Sequence, residues 1–398
     1  MNAQTARAQA DRALMQALLE TPRVRDLLRQ LEQADEPYGT RRNLLARALR
    51  LTRAVAPDTW AIVDHCAKTL DCATTLELYV FPSPQFNAAC TPPENGRVFI
   101  LLSSALLEAF DDDELTFVIG HELGHHVYDH HAIPLGLLLG GQGQLPVPEL
   151  LQITAWQRHA EISADRAGLL CCGALEPAAR ALFKLSSGLA AAPDAARIQA
   201  FIQQADELYR EADAATSPEQ QQHHDWLASH PFSPIRLKAA QLFTDSRAFQ
   251  HDEPMEPLEE QVHELMALMD PSYLHEDSEA AEAMRRLLFA AGAVVAGAHD
   301  GVSKVEIEAL ASLLGHGKVP RRLDPELLRG VMGGRIDDVN AKVRPARRAQ
   351  LVRDLAHVAR ADGHVHPQEL AVLHEVARAL ELRPGIVEAA VSEPLELD

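Results

Sequence analysis

The sequence predicts a mainly α-helical protein with one small β-sheet, an α+β domain, followed by an all-α domain. Three observations carry this expectation. Apolar residues recur at helical spacing through most of the chain, and 47% hydrophobic content with only 5% aromatics describes an alanine- and leucine-rich helical protein. Only two short runs, Leu76 to Phe81 and Arg97 to Leu102, read as strands, and Pro82, Pro84, Pro92, Pro93 and Asn95-Gly96 punctuate a loop between them. From Phe249 to Met284 the chain is acidic, broken by Pro254, Pro257 and Pro271, and free of Lys and Arg, which marks a linker between two parts. At 398 residues there is chain enough for two or three domains, each with its own core.

In order, residues 1–59 form a helical segment expected to pack on the central domain, with helices over Ala13–Leu19, Val24–Leu31 and Leu44–Leu51. This segment is locally basic, with ten arginines against six acids through Arg53. It reads as the solvated face of packed helices, or as a docking surface for an acidic partner or for the chain's own acidic segment. Residues 60–247 form the central domain, opening with a helix near Ala61–Leu70 and then the two strands.

That domain is organised around Gly120-His121-Glu122-Leu123-Gly124-His125. HExxH spacing puts His121 and His125 on one helix face, where both imidazoles reach one metal ion, and zinc suits that geometry best. Glu122 is placed to take a proton from water as general base. Asp111, Asp112 and Asp113 crowd the expected helix N-terminus, where negative charge is favoured, and Leu115, Val118 and Ile119 supply a buried stripe. HExxH alone also arises by chance, so a third ligand decides. The best candidate is Glu161, 36 residues after His125, with Asp165 one turn on, placed to accept a hydrogen bond from a ligand histidine. Ala160, Ala164, Ala167 and Gly168 beside both acids argue for close packing on another helix rather than a solvated face.

HELGH followed by ExxAD resembles the gluzincin metalloendopeptidases of the HtpX and CAAX prenyl protease type. Asn87-Ala88 before Val98–Leu102, Ser104-Ala105-Leu106-Leu107, Asp113-Glu114-Leu115, and Ser229-His230-Pro231 with Arg236 match in the same order, over about residues 60 to 245. The resemblance implies a gluzincin-type zinc peptidase with protein or peptide substrates. It implies that the substrate adds as a strand to the edge of Arg97–Leu102, with Asn87 and Ala88 as rim contacts, although a plain turn role for Asn87 is equally open. His230 or Arg236 is implied as a donor to the tetrahedral oxyanion, against a purely structural loop. His126, His130 and His131 read as surface groups or as groups behind the ligands, an auxiliary metal site being the lesser alternative. Pro134 to Val147, with Gly140, Gly141 and Gly143, reads as a flexible flap over the cleft.

Relatives of that type are commonly embedded in membranes or exported, whereas no apolar run here reaches the eighteen residues a transmembrane helix needs. Leu287 to Ala298 comes nearest, and the N-terminus shows no signal-peptide pattern, so the expectation is a soluble cytoplasmic protein without membrane insertion. Lys and Arg total 37 against 57 Asp and Glu, and a net charge of −20 repels nucleic acid and anionic lipid. Five cysteines without CxxC spacing, an odd number, fit a reducing compartment.

Residues 248–282 are the acidic linker, with one short amphipathic helix expected over Leu258–Met269. Beyond it, Ala298 to Glu306 parallels Ala361 to Glu369, each followed by an apolar-periodic helix. An Asp-Gly turn with a later Glu looks like half an EF-hand loop, but Val358 and Arg360, or Ala296 and Ala298, stand where ligands are needed. The pattern is similar to the TerB (tellurite-resistance) helical domain over roughly residues 283–398. That likeness leaves Asp300, Glu306, Asp362 and Glu369 either to bind a second divalent cation or to cap helices, with capping preferred. The sequence thus points to a zinc endopeptidase, implied by resemblance to serve protein quality control or stress response, with a C-terminal domain that regulates access or binds a protein partner. The alternative is a latent scaffold or chaperone-like protein that binds clients, which the retained His121, Glu122, His125 and Glu161 disfavour.

Overall fold

The computed structural model describes residues 1–33, 39–140, 147–214, 230–251, 253–266, 269, 278–299, 301–314, 319–320, 322–343, 345–361, 363–382 and 385–392. They fall into two compact units. The first comprises the described residues of Met1–Leu145, Gln152–Asp206 and Ala228–Met266, and the second is built mainly on Ala267–Asp398.

The first unit is helical around one four-stranded sheet. Helices α1 (Ala3–Ala6), α2 (Gln9–Glu20), α3 (Pro22–Gln33) and α4 (Thr40–Arg47) precede β1 (Leu49–Leu51) and α5 (Pro57–Thr69). Then come β2 (Thr75–Phe81), β3 (Ala88–Cys90), β4 (Arg97–Ser103), α6 (Ser104–Ala109) and α7 (Asp112–Val127). A short 3-10 turn (His130–Ala132) leads to α8 (Leu135–Gly140), α9 (Val147–Cys172), α10 (Leu175–Ser187), α11 (Ala195–Ala214), α12 (Ser233–Asp245), α13 (Arg247–His251) and α14 (Glu256–Met266).

The strand order is β1-β2-β4-β3. The central pair, β2 and β4, is parallel with Leu78 opposite Ile100, and β1 and β3 flank it antiparallel. Leu78, Val98, Ile100 and Leu102 are fully buried, as central strands covered by helices require.

Two expectations change here. The helix expected over Leu44–Leu51 ends at Arg47, and Leu49-Arg50-Leu51 alternates as a strand against Val80, Tyr79 and Leu78. Pairing with the sheet, plus the Trp60 Nε1 hydrogen bond to Leu51 O at 2.7 Å, outweighs local helical spacing. The stretch expected to be loop contains β3, which occupies the edge of β4 that was assigned to substrate. The free edge on that side therefore belongs to β3.

Several arginines of the basic N-terminal segment pair within the unit, some beside Arg97 of β4. Arg41 and Arg97 reach the buried Glu77 at 3.0 and 3.1 Å, Arg50 lies 3.5 Å from it, and Tyr79 donates to it at 2.7 Å. Arg53 pairs with Asp64. The acidic stretch supplies α14, which buries Leu258, Val262, Leu265 and Met266. Arg166 of α9 meets its Glu259 at 2.6 Å. Of the expected flap, Leu135–Gly140 is helix, while Gly141 and Gly143 lie outside the described residues, as does the glutamine-rich stretch 217–224.

The second unit is all-helical: α15 (Glu279–Ala296), α16 (Lys304–Leu314), α17 (Pro325–Lys342), α18 (Pro345–Ala359), α19 (Pro367–Ala379) and α20 (Ile386–Ser392). Its α15 is buried almost all round, with Leu287, Leu288 and Val295 in one core with Leu351, Leu355, Leu373 and Val376. No helix among the described residues is long and apolar enough to cross a membrane. In both copies of the internal repeat a glycine with positive φ, Gly301 (+83°) or Gly363 (+92°), turns the chain before a capped helix. Glu306 accepts the Ser303 backbone N–H at 2.8 Å, and Glu369 that of His366 at 2.8 Å, which is the capping role. Asp300 and Asp362 lie outside the described residues.

In the first unit α7 packs on α5, α10 and β3, and it crosses α9 at very close range. A Cβ at Gly120 would lie 2.8 Å from Cys171 Sγ, one at Gly124 2.7 Å from Ala167 Cβ, and one at Gly168 2.6 Å from Phe117 O. The start of α7 is held as firmly. Asp111 and Glu114 form a capping box, and buried Glu114 takes Lys184 at 2.7 Å and Arg180 at 3.2 Å from α10. Because the obstacle at Gly168 is a backbone oxygen, Gly168→Ala should push the two helices apart. We expect a loss of about 1–3 kcal/mol in urea denaturation, with weaker metal binding in chelator competition.

Candidate metal centre

The capped helix α7 presents His121 and His125 one turn apart, and the crossing with α9 brings Glu161 against both. His125 Nε2 lies 3.2 Å from His121 Nε2 and 3.4 Å from Glu161 Oε1, and His121 Nε2 lies 3.5 Å from Glu161 Oε2. Ligands at about 2.1 Å from a tetrahedral ion sit about 3.4 Å from one another, so the three donor tips have the spacing a zinc ion requires. Among the described residues this is the one group of three or more His, Cys, Asp or Glu side chains that converges in this way.

Behind the donors, a hydrogen bond orients His121 and opposite charge holds Glu161 and Asp165 ionised. His121 Nδ1 donates to Asp165 Oδ1 at 2.9 Å, which turns its Nε2 toward the metal point. Arg236, from α12, grips Asp165 with Nη2 at 2.6 Å and Nε at 2.9 Å, and its Nη1 lies 3.2 Å from Glu161 Oε2. Burial pushes the Glu161 carboxyl up, but the guanidinium of Arg236 and the two histidines outweigh it and hold Glu161 well below the usual carboxylate range. Asp165 is also lowered, burial being outweighed by Arg236 and His121. Arg236 is thus largely committed to the two acids, whereas His230 is mostly exposed, with Nε2 3.5 Å from Glu161 Oε1.

The donors open into a cleft of about 330 Å³ that Glu122, His230 and Arg236 also line. Asn87, Ala88, Ala89 and Cys90, the edge strand and its approach, form one wall. Asn87 is held by Ser103, whose Oγ accepts its N–H at 3.0 Å and whose N–H donates to its carbonyl at 2.9 Å. Phe86, Phe117, Val118 and Leu185 make other parts of the lining apolar.

Sequence reasoning missed one pair. His130 is buried, with Nδ1 2.9 Å from His125 Nδ1 and Nε2 3.0 Å from Asp11 Oδ2 of α2. His126 instead bonds Thr74 Oγ1 at 2.8 Å, and His131 lines the cleft, where burial draws its pKa down to about 4. The clustering of histidines after HExxH was visible. Asp11, more than a hundred residues earlier, carried no signal beyond being one acid in a helix.

Comparison with known proteins agrees with this geometry. Residues 54–142 and 141–243 match peptidase family M48, and residues 334–391 match the tellurite resistance protein TerB family. Over 138 residues the chain is 32% identical to a plastoglobule-localized metallopeptidase 48, chloroplastic, of Arabidopsis thaliana, covering 32% of this chain and 40% of that protein. Over 82 residues it is 32% identical to a protease HtpX homolog of Tropheryma whipplei (strain Twist), covering 21% and 28%. Over 64 residues it is 39% identical to protease HtpX of Acinetobacter baumannii (strain AYE), covering 16% and 21%. The chain therefore spans less than half the length of these relatives. No solved structure matches it.

Asp165 fixes His121 without being a donor itself, so removing it should loosen the centre and leave the fold. Asp165→Ala is expected to keep its circular dichroism spectrum while zinc affinity, by chelator competition, falls about tenfold or more. Unchanged affinity would assign Asp165 another role.

Proposed function

We propose that this chain, which carries a peptidase family M48 domain over residues 54–243 and a TerB domain over residues 334–391, is a zinc-dependent endopeptidase acting on protein substrates. The observation that carries the reading is the meeting of His121, His125 and Glu161 at one point, with Glu122 in the same cleft. A bound Zn2+ supplies Lewis acidity there, lowering the pKa of water and polarising a peptide carbonyl.

The protein's own groups do the rest. Glu122 takes the proton of the attacking water and delivers it to the departing amine. We assign the oxyanion donor to His230, exposed in the lining of the cleft, rather than to Arg236, which is held by Asp165 and Glu161. Substrate lies extended along β3, where backbone pairing beside Ala88–Cys90 gives affinity with modest side-chain selectivity, and Asn87 and Ala88 form the rim. The apolar patches of the lining favour unfolded segments, which supports a duty in protein quality control or stress response. The five unpaired thiols support a cytoplasmic setting. We assign the TerB domain a regulatory or protein-binding role. The capping geometry of Glu306 and Glu369 speaks against a second cation there.

The test is metal analysis together with casein cleavage. Wild type is expected to hold one zinc and cleave, while Glu122→Gln should keep the zinc and lose activity. His121→Ala and Glu161→Ala should lose both. Full activity in Glu122→Gln would reject the mechanism, and an inactive wild type that holds zinc would favour the latent client-binding reading.

A further inference from the structure

We propose that Asp11, on α2 and outside the segment that matches the peptidase family, is a positioning residue of the metal centre that acts through His130 on His125. The proposal rests on the metallopeptidase reading above.

Asp11 is fully buried and surrounded by donors. Its Oδ2 accepts from His130 Nε2 at 3.0 Å, Ser163 Oγ at 2.7 Å and Arg7 Nε at 2.8 Å, and its Oδ1 from Trp156 Nε1 at 3.1 Å and Arg7 Nη2 at 3.2 Å. A carboxylate so placed accepts only, which fixes the direction of every bond behind it. The neutral His130 ring therefore carries its proton on Nε2, which leaves Nδ1 bare. The 2.9 Å contact between His130 Nδ1 and His125 Nδ1 then has one solution: His125 donates. A protonated Nδ1 leaves the lone pair of His125 on Nε2, the atom 3.4 Å from Glu161 Oε1 at the metal point.

The chain from Asp11 through His130 thus imposes on His125 the tautomer that Asp165 imposes directly on His121. The anchor is rigid because it is tied to the helix that carries Glu161. Ser163, two residues beyond Glu161 on α9, bonds both Asp11 and the Ala8 backbone N–H, at 2.7 and 3.0 Å. The Tyr128 hydroxyl donates to Ala3 O at 2.9 Å and Arg166 to Ala6 O at 3.2 Å, holding the chain that leads into α2. The N-terminal helices therefore contribute to the metal centre itself, beyond covering the domain.

The test uses the whole chain and two amide substitutions. In Asp11→Asn the carboxylate is lost but the shape is kept, whereas in His130→Asn the amide oxygen can still accept from His125 Nδ1 while the link to Asp11 is cut. Zinc affinity by chelator competition, the visible spectrum of the cobalt-substituted protein and the unfolding of the apoprotein are compared. We expect Asp11→Asn to weaken zinc binding about tenfold and to alter the cobalt bands. In the double variant, Asp11→Asn should add nothing to the effect of His130→Asn, because the two act as one path. Unchanged zinc affinity and cobalt spectrum in Asp11→Asn, or additive losses in the double variant, would overturn the proposal. If Asp11→Asn does not fold, His130→Phe, which removes the acceptor facing His125 Nδ1, decides, with wild-type affinity and spectrum counting against the path. A wild-type chain that binds no zinc would overturn both this proposal and the metallopeptidase reading, whereas equal binding by wild type and Asp11→Asn overturns this one alone.

Discussion

The near-contact of α7 and α9 governs the metal centre. Two helices packed through ordinary side chains keep their axes about 8–10 Å apart, and side chains at the crossing set that distance. Here Gly120, Gly124 and Gly168 remove the side chains at the crossing, and Ala164 and Ala167 fill what remains. Glu161 can then stand within 3.5 Å of both imidazole tips without leaving its helix. The same small residues account for the burial of Asp165 and Ser163, so that the groups bonded to both stay shielded from water.

Charge balance results from that packing. Around the metal point lie Glu122, Glu161 and Asp165, against the single guanidinium of Arg236. Three buried or half-buried carboxylates with one cation leave an excess of two negative charges, which a divalent ion neutralises. Arg236 has the geometry for its part: a planar fork can hold Asp165 with two N–H groups while a third reaches Glu161, which a lysine could not do. Its position one helical turn into α12 explains why His230-Pro231 and Arg236 occur together. Both line the cleft, the histidine exposed and the arginine mostly buried between Asp165 and Glu161.

What was legible in the sequence was what is local. HExxH, ExxAD, the acidic N-terminus of α7 and the capped repeats each depend on residues within one or two helical turns, where spacing dictates which side chains meet. What was not legible depends on contacts between distant segments. Leu49-Arg50-Leu51 follows a helix closely enough to share its apolar rhythm, and only the sheet beside it makes it a strand. Three-residue β3 is too short to show an alternation, and it displaced the assigned edge from β4. Asp11 looks like an ordinary first-turn acid on an amphipathic helix. Its partners His130, Trp156 and Ser163 lie 119 or more residues away.

The C-terminal unit shows how one local pattern serves two physical purposes. A glycine turn followed by a glutamate is what a calcium loop uses to end on a bidentate carboxylate, and it is also what a helix uses to cap its own amides. The choice is made by where the carboxylate oxygens go. At Glu306 and Glu369 one oxygen already accepts a backbone N–H at 2.8 Å, and both side chains are buried against the helix they start. A bidentate ligand needs both oxygens turned outward together, which would uncap two helices whose first turns sit on the common core of α15. The repeat therefore uses Glu306 and Glu369 to begin helices around a central apolar one, with turn chemistry that an EF-hand loop shares.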